Sequence, residues 1–184
     1  MHHFNFQNVV NRLISGLLKT DSTAWSTGQS ADIYGVKNWG AGYFSVSDSG
    51  EVIVHPHGNG TGVSLRKIAD GLIDRGLNMP VLLRFSDILD ARIKQLHDGF
   101  GRAIQDFKYR GHYRGVYPIK VNQQQQVLEE IAEFGAAYHH GFEAGSKAEL
   151  IAAISFMQDS EAYLVCNGYK DAEFVDLGLL ARKM

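Results

Sequence analysis

The sequence predicts an α/β protein, because its second half repeats one pattern three times: a short apolar run followed at once by an amphipathic helix pattern. The three runs are residues 115–121, 138–143 and 162–167. The helices that follow them cover 125–134, the stretch opened by Ser146, and 171–182. A strand joined to the next by a helical crossover returns parallel to it, so the three units imply a parallel sheet with helices packed outside. A second observation lies upstream. Residues 33–36, 42–46 and 51–55 are short, aromatic or β-branched, and divided by turn residues such as Asp48-Ser49-Gly50, the texture of a hairpin-rich sheet.

Taken in order, residues 1–31 carry few structural signals and read as a variable leader. Their most apolar part, Val9 to Leu18, is interrupted by Asn11, Arg12 and Ser15, which suits a short amphipathic helix or a loose leader better than a signal peptide. No stretch approaches the roughly 20 apolar residues of a membrane span. After the hairpin strands comes Gly58-Asn59-Gly60-Thr61-Gly62. Clustered glycines can turn backbone N–H groups onto a phosphate, but this spacing fits neither the dinucleotide nor the Walker pattern, and a connector is the favoured reading. His55 and His57 lie two apart and could face one metal, although no carboxylate or cysteine is spaced to complete a site.

Ser64 is placed to cap a helix through about Arg75, with Leu65, Ile68, Ala69 and Leu72 on one face and Gly76 ending it. Pro80 then introduces an expected strand over 81–85. From Ser86 a long helix carries Leu89, Ile93, Leu96, Phe100, Ala103 and Phe107 as one stripe, read as core packing. Gly99 and Gly101 inside it cost about 1 kcal/mol each relative to alanine and lower the expectation of an unbroken helix.

In the repeated units, Val127, Leu128, Ile131 and Ala132 face inward, with Glu129, Glu130 and Glu133 outward. Ser146 with Glu149 three residues on is a capping box, and Leu150, Ile151, Ile154 and Met157 form the expected buried side of its helix. Pro118 sits awkwardly in a strand, since it cannot donate a ladder hydrogen bond.

Composition bounds the function. At 184 residues the chain has the length of one domain with a real core, and its 45% hydrophobic and 21% charged residues are ordinary for a globular protein. A formal net charge of -2 gives no global pull toward nucleic acid or anionic membrane, and neither is expected as a partner. The single cysteine, Cys166, cannot make an internal disulfide, which is compatible with a reducing cytosol.

Lys120 is the residue that asks for a chemical explanation. On an extended strand Tyr117, Ile119 and Val121 share one apolar side and Lys120 points the other way. A desolvated lysine loses charge, becomes nucleophilic and can form a Schiff base with a carbonyl, pyridoxal phosphate included. The other reading is an edge strand whose second face is wet.

The run His112-Tyr113-Arg114-Gly115-Val116-Tyr117-Pro118-Ile119-Lys120-Val121-Asn122-Gln123 resembles the cofactor-lysine strand of the biosynthetic arginine decarboxylases. Four more blocks resemble the same family in the same order: Trp39-Gly40-Ala41-Gly42-Tyr43-Phe44, Leu82-Leu83-Arg84-Phe85-Ser86-Asp87-Ile88-Leu89, Gly141-Phe142-Glu143-Ala144-Gly145-Ser146-Lys147-Ala148-Glu149-Leu150 and Val165-Cys166-Asn167-Gly168-Tyr169-Lys170-Asp171. The resemblance covers residues from about Asp32 to Met184. It implies a fold-type III pyridoxal-phosphate enzyme: a β/α barrel of the TIM type, of which this chain holds the first three βα units, preceded by N-terminal strands of a second β-rich domain. The expected division is 1–31 as leader, 32–85 as the β-rich segment with one helix, and 86–184 as the start of the barrel.

The resemblance further implies that Lys120 holds pyridoxal 5'-phosphate as a Schiff base and that Glu143 lies near the cofactor ring. Glu143 read structurally is a hydrogen-bonded carboxylate at a strand end. Asn122 and Asn167 are left as supporting groups, and Lys147, just inside its helix, as a solvated lysine. His139 and His140 alternate across a strand and so cannot share one metal. The implied activity converts L-arginine to agmatine and CO₂ in putrescine and spermidine biosynthesis, in a cytoplasmic enzyme that is homo-oligomeric when full-length. Magnesium is implied by the resemblance only, since nothing here assembles an octahedral oxygen site.

Two departures stand out. Gln125 and Gln126 occupy positions where the family often has basic residues, and the family continues for several hundred residues beyond the equivalent of Met184. The chain is therefore read as an N-terminal piece, expected to be inactive alone. The alternatives are a noncatalytic partner-binding module and a small pyridoxal-phosphate carrier.

Overall fold

The structure is a computed structural model that describes residues 25–58 and 60–183. The apolar segment 9–18 and most of the expected leader lie outside the described residues. At the start of the described chain, Ser26 and Gln29 cap each other: the Ser26 hydroxyl accepts the Gln29 N–H at 3.3 Å and the Gln29 side chain accepts the Ser26 N–H at 3.1 Å. Helix α1, Thr27–Ile33, follows, and after Gly35 (φ 61°) the short helix α2, Val36–Trp39. The residues expected as a strand, 33–36, are instead the end of α1, a turn at Tyr34-Gly35 and the start of α2. A reciprocal cap saturates the first backbone donors, and that local gain outweighs the β preference of Ile33 and Tyr34.

The runs 42–46 and 51–55 pair as expected, and a third short strand that was not expected joins them. Strands β1 (Phe44–Val46), β2 (Val52–Val54) and β3 (Val63–Ser64) form an antiparallel sheet in that order, with Phe44 opposite Val54 and Val46 opposite Val52. Gly50, at φ 82°, makes the first turn, and its N–H donates to the Ser47 carbonyl. His55 bonds Ser45 Oγ at 2.8 Å and the Gly60 carbonyl at 3.3 Å, while His57 sits 3.6 Å from Asp87, so the two face different partners. The Ser64 hydroxyl accepts the Lys67 N–H and opens α3, Leu65–Ile73. At its end Leu77 N–H reaches back to the Leu72 carbonyl over Gly76 at φ 83°, a glycine-closed terminus as expected. Residues 81–85, expected as a strand, are irregular.

The second body is the βα repeat. Helix α4, Ser86–Asp106, runs unbroken through Gly99 and Gly101. Strands β4 (Val116–Pro118), β5 (Gly141–Ala144) and β6 (Leu164–Cys166) are parallel and adjacent in sequence order, Tyr117 beside Phe142 and Phe142 beside Leu164. Helices α5 (Gln125–Gly135), α6 (Lys147–Phe156) and α7 (Ala172–Ala181) follow them. One core joins Ile93 of α4, Val127, Leu128 and Ile131 of α5, Phe142 of β5 and Ala153 of α6. A second joins Ala144, Leu150 and Phe174.

Three details of packing correct the expectation. On α4 the buried residues are Ile93 and His97, while Leu96, Phe100 and Phe107 are exposed. His97 is turned inward to His140, while Phe100 stays exposed and stacks on Tyr113 at 3.8 Å. On α6 Ile151 is exposed and Ala153, small enough to lie against the sheet, is buried in its place. The run 138–143 begins its strand only at Gly141, since Ala136–Tyr138 makes a 3-10 turn and His139 adopts φ 53°.

Candidate functional site at the carboxyl ends of the parallel strands

Lys120 was expected inside a strand, and it is not. Strand β4 stops at Pro118, which has no N–H to continue the ladder, and Ile119–Val121 forms a 3-10 turn. The turn separates the three side chains. Ile119 is 1% exposed and anchors the turn in the core, whereas Val121 is 68% exposed. The Lys120 side chain is 63% exposed, beyond the carboxyl end of β4. Its amine is therefore reachable from outside rather than desolvated.

Neighbouring strands bring two more groups to the same end. Pro118 stands opposite Glu143 in the parallel register, and Glu143 Oε1 lies 4.0 Å from Lys120 Nζ. The Glu143 side chain is 20% exposed. Ala144 stands opposite Cys166, so Asn167 is the first residue past β6; its N–H donates to the Ala144 carbonyl at 2.8 Å and its Nδ2 donates to Glu143 Oε1 at 2.9 Å. Glu143 is thus a hydrogen-bonded carboxylate near the strand end, and it faces Lys120. Asn122 is occupied locally, its Oδ1 accepting the Gln124 N–H and its carbonyl the Tyr117 hydroxyl. Burial raises the Tyr117 phenol above its ordinary pKa.

The other lysines that follow strands are engaged elsewhere. Lys170 Nζ donates to the Gly168 carbonyl at 2.9 Å. Lys147, expected as solvated, pairs with Asp171 at 2.8 Å and with Glu173, both at the start of α7, and these two carboxylates raise its pKa. Lys120 thus differs from both in facing a single carboxylate at 4.0 Å with its amine open to solvent. Such a primary amine fits an aldehyde-bearing cofactor. In open α/β sheets ligands collect outside the carboxyl ends of the strands, where these residues stand.

The histidines go to the opposite end of the sheet. His139 Nδ1 bonds Asp159 Oδ2 at 2.7 Å, and His140 Nδ1 meets His97 Nε2 at 2.9 Å. The His97–His140 pair and the Asn167–Glu143 bond escaped the sequence reading. The first links residues 43 apart with no shared motif; the second was signalled only by two polar residues closing successive strands. Among the described residues no group of three or more His, Cys, Asp or Glu is placed to hold a metal ion. Among them too, no helix is long and apolar enough to cross a membrane.

Comparison with known proteins shows the family of the chain. Residues 91–182 match the family model described as pyridoxal-dependent decarboxylase, pyridoxal binding domain. The chain is 47% identical over 161 residues to a biosynthetic arginine decarboxylase of Synechococcus sp., covering 87% of this chain and 25% of that one. It is 46% identical over 161 residues to the protein of that name from Gloeobacter violaceus, with the same shares. The crystal structure of a biosynthetic arginine decarboxylase from Campylobacter jejuni superposes with a TM-score of 0.75 at 33% identity, over 82% of this chain and 25% of that one. The chain thus spans about a quarter of the length of the relatives it matches. With half its length, residues 91–182, matched to the family model, the chain belongs to the pyridoxal-dependent decarboxylases.

Proposed function

We propose that this chain contributes the cofactor-lysine segment of an arginine decarboxylase, with Lys120 as the amine that links pyridoxal phosphate and Glu143 beside the cofactor ring. The observation that carries the reading is the exposed Lys120 amine at the carboxyl end of β4, 4.0 Å from one carboxylate. When bound, the cofactor supplies an electron sink for the pair left on the α-carbon as CO₂ departs. The chain's own residues bind and orient. Lys120 presents the nucleophilic nitrogen, Glu143 sets the charge facing it, and buried Ile119 fixes the turn on which the lysine stands. Arginine as substrate rests on the names of the relatives, and agmatine and polyamine synthesis follow from it. The activity is assigned to a longer, homo-oligomeric cytoplasmic enzyme, of which these residues are the first barrel units and the preceding β-rich segment (32–85). A magnesium requirement belongs to the same reading, with no ligand assigned to it among these residues.

The test is chemical. Incubation of the chain with pyridoxal phosphate, reduction with borohydride and peptide mapping should place the label on Lys120. In the full-length enzyme Lys120→Ala should remove both the bound chromophore and CO₂ release from arginine. Label spread evenly over Lys147 and Lys170, or a chromophore that survives the substitution, overturns the assignment.

A further inference from the structure

We infer that Asn167 is a positioning residue for this site, holding the Glu143 carboxylate off the Lys120 amine so that the amine stays available to a carbonyl; this rests on the reading of Lys120 given above. The bond pattern fixes the amide. Gly168 N–H can only donate, and it donates to Asn167 Oδ1 at 2.8 Å; a carboxylate can only accept, and Glu143 Oε1 accepts from Nδ2 at 2.9 Å. Neither contact survives if the amide is turned over, so its two ends are assigned by their partners.

The amide is in turn held by the backbone beneath it. Asn167 N–H is tied to the Ala144 carbonyl. Gly168, at φ 73°, packs so closely on the turn after β5 that a Cβ there would lie 2.5 Å from the Gly145 carbonyl oxygen. Lys170 closes the loop onto the Gly168 carbonyl. Asn167 therefore joins the loop after β6 to the carboxylate on β5, and through it faces the amine beyond β4.

The consequence follows from one distance. Glu143 Oε1 and Lys120 Nζ stand 4.0 Å apart, the outer limit of an ion pair and too long for a hydrogen bond. A carboxylate in contact with an amine favours the charged form, which has no lone pair to attack a carbonyl. The Asn167 bond to Oε1 fixes the orientation of the carboxylate, and in that orientation Glu143 stands short of that contact. Without the amide, the carboxylate is free to swing onto Lys120.

The experiment follows the rate at which pyridoxal phosphate is trapped on Lys120 by borohydride, in the full chain, for Asn167→Ala, Glu143→Gln and the double substitution. Asn167→Ala should slow labelling about threefold, the size of effect an exposed ion pair produces. The Glu143→Gln substitution leaves no charge to swing, so Asn167→Ala should have no effect on top of it. Unchanged labelling in Asn167→Ala, or an equal loss with and without Glu143→Gln, overturns the inference, since a merely structural role for the turn would not depend on the charge at Glu143. A readout without cofactor separates this from the Lys120 reading. The side-chain amide resonance of Asn167 should move on Glu143→Gln; a fixed resonance removes the hydrogen bond and the inference, whatever Lys120 does. A wild-type chain that takes no label on Lys120 removes the underlying reading and this one with it.

Discussion

His97 Nε2 and His140 Nδ1 meet at 2.9 Å, joining helix α4 to the residue just before strand β5. One ring donates and the other accepts, so the contact requires a proton on one of the two nitrogens and a lone pair on the other. The rings are enclosed by aromatic neighbours. His97 stacks on Tyr138 at 4.6 Å and tilts against Tyr113 at 5.0 Å, and a Cβ on Gly115 would lie 2.5 Å from His140 Nδ1.

This enclosure makes the protein acid-sensitive above the carboxylate range. Burial, and then the facing His97, lower His140 from 6.5 to about 4. Burial and the nearby Arg114 lower His97 too, with Asp98 opposing. Both folded values lie below the unfolded one, so the unfolded chain binds more protons. Their contribution is complete above pH 6.5 and is lost as pH falls from there toward about 4. Each proton taken up on unfolding adds a slope of about 1.4 kcal/mol per pH unit. Urea midpoints measured between about pH 7.5 and 5.5, above most carboxylate titration, should fall for the native chain and fall less for His140→Gln. An equal fall in both would place the sensitivity elsewhere.

Two glycines should respond in opposite directions to alanine. A Cβ on Gly141, the first residue of β5, would stand 1.9 Å from the Tyr163 carbonyl oxygen, a backbone atom that cannot move aside without breaking the sheet. Gly141→Ala should cost about 3 kcal/mol or more, the upper range of overpacking. Gly101, inside α4, has nothing within 4 Å of its Cβ position. Gly101→Ala should gain about 0.5–1 kcal/mol from helix propensity and a stiffer unfolded chain. Denaturant titration of the pair checks both signs.

Asp171 uses its two oxygens for different tasks: Oδ1 accepts the Phe174 N–H at 2.9 Å and caps α7, while Oδ2 faces Lys147 at 2.8 Å. The lysine first, and then the capping N–H, hold its carboxyl below the ordinary value. A depressed carboxyl stabilises above its ordinary pKa, and the effect is lost as pH falls through the folded value. Asp171→Asn keeps an oxygen for the cap and loses the ion pair; Asp171→Ala loses both. The urea midpoint should therefore fall more for alanine than for asparagine, and about 1 M salt should narrow the gap between native chain and asparagine variant. A larger fall for asparagine would contradict the assignment of the oxygens.

Much of this fold is written in local signals. Ser146 and Asp171 announce their helices because a cap is satisfied within three residues: the Ser146 hydroxyl accepts the Glu149 N–H at 3.2 Å, as its spacing suggests. Even there a neighbour changes the detail, since the Glu149 carboxylate reaches back to Gly145 N–H at 2.7 Å. Ser26 with Gln29 is as readable, but the β-branched and aromatic residues after it point toward a strand. What the chain does not write locally is which side of a helix meets a neighbour. Leu96 and Phe100 continue the apolar stripe of α4, yet His97 is inside because His140 waits there. The site divides the same way. Lys120 and Glu143 were visible as strand-end residues, while the Asn167 amide that joins the scheme depends on the register of β6 beside β5.

The turn after Pro118 gives the sharpest contrast between pattern and structure. Strand alternation puts Ile119 and Val121 on the same apolar side and makes them equivalent. In the 3-10 turn, Ile119 is 1% exposed in the main core and Val121 is 68% exposed. Ile119→Ala should therefore cost about 2–5 kcal/mol, the range for emptying a packed core position. Val121→Ala should stay within about 0.5 kcal/mol, as surface changes do. The two also differ at the site. Ile119 is bonded directly to Lys120 and is the anchor of its turn, so Ile119→Ala should broaden the backbone resonances of Lys120 under conditions where the chain remains folded. Val121→Ala should leave them sharp. Equal costs for the two substitutions would mean that β4 continues through Val121 after all, with Lys120 returned to the face of an extended strand.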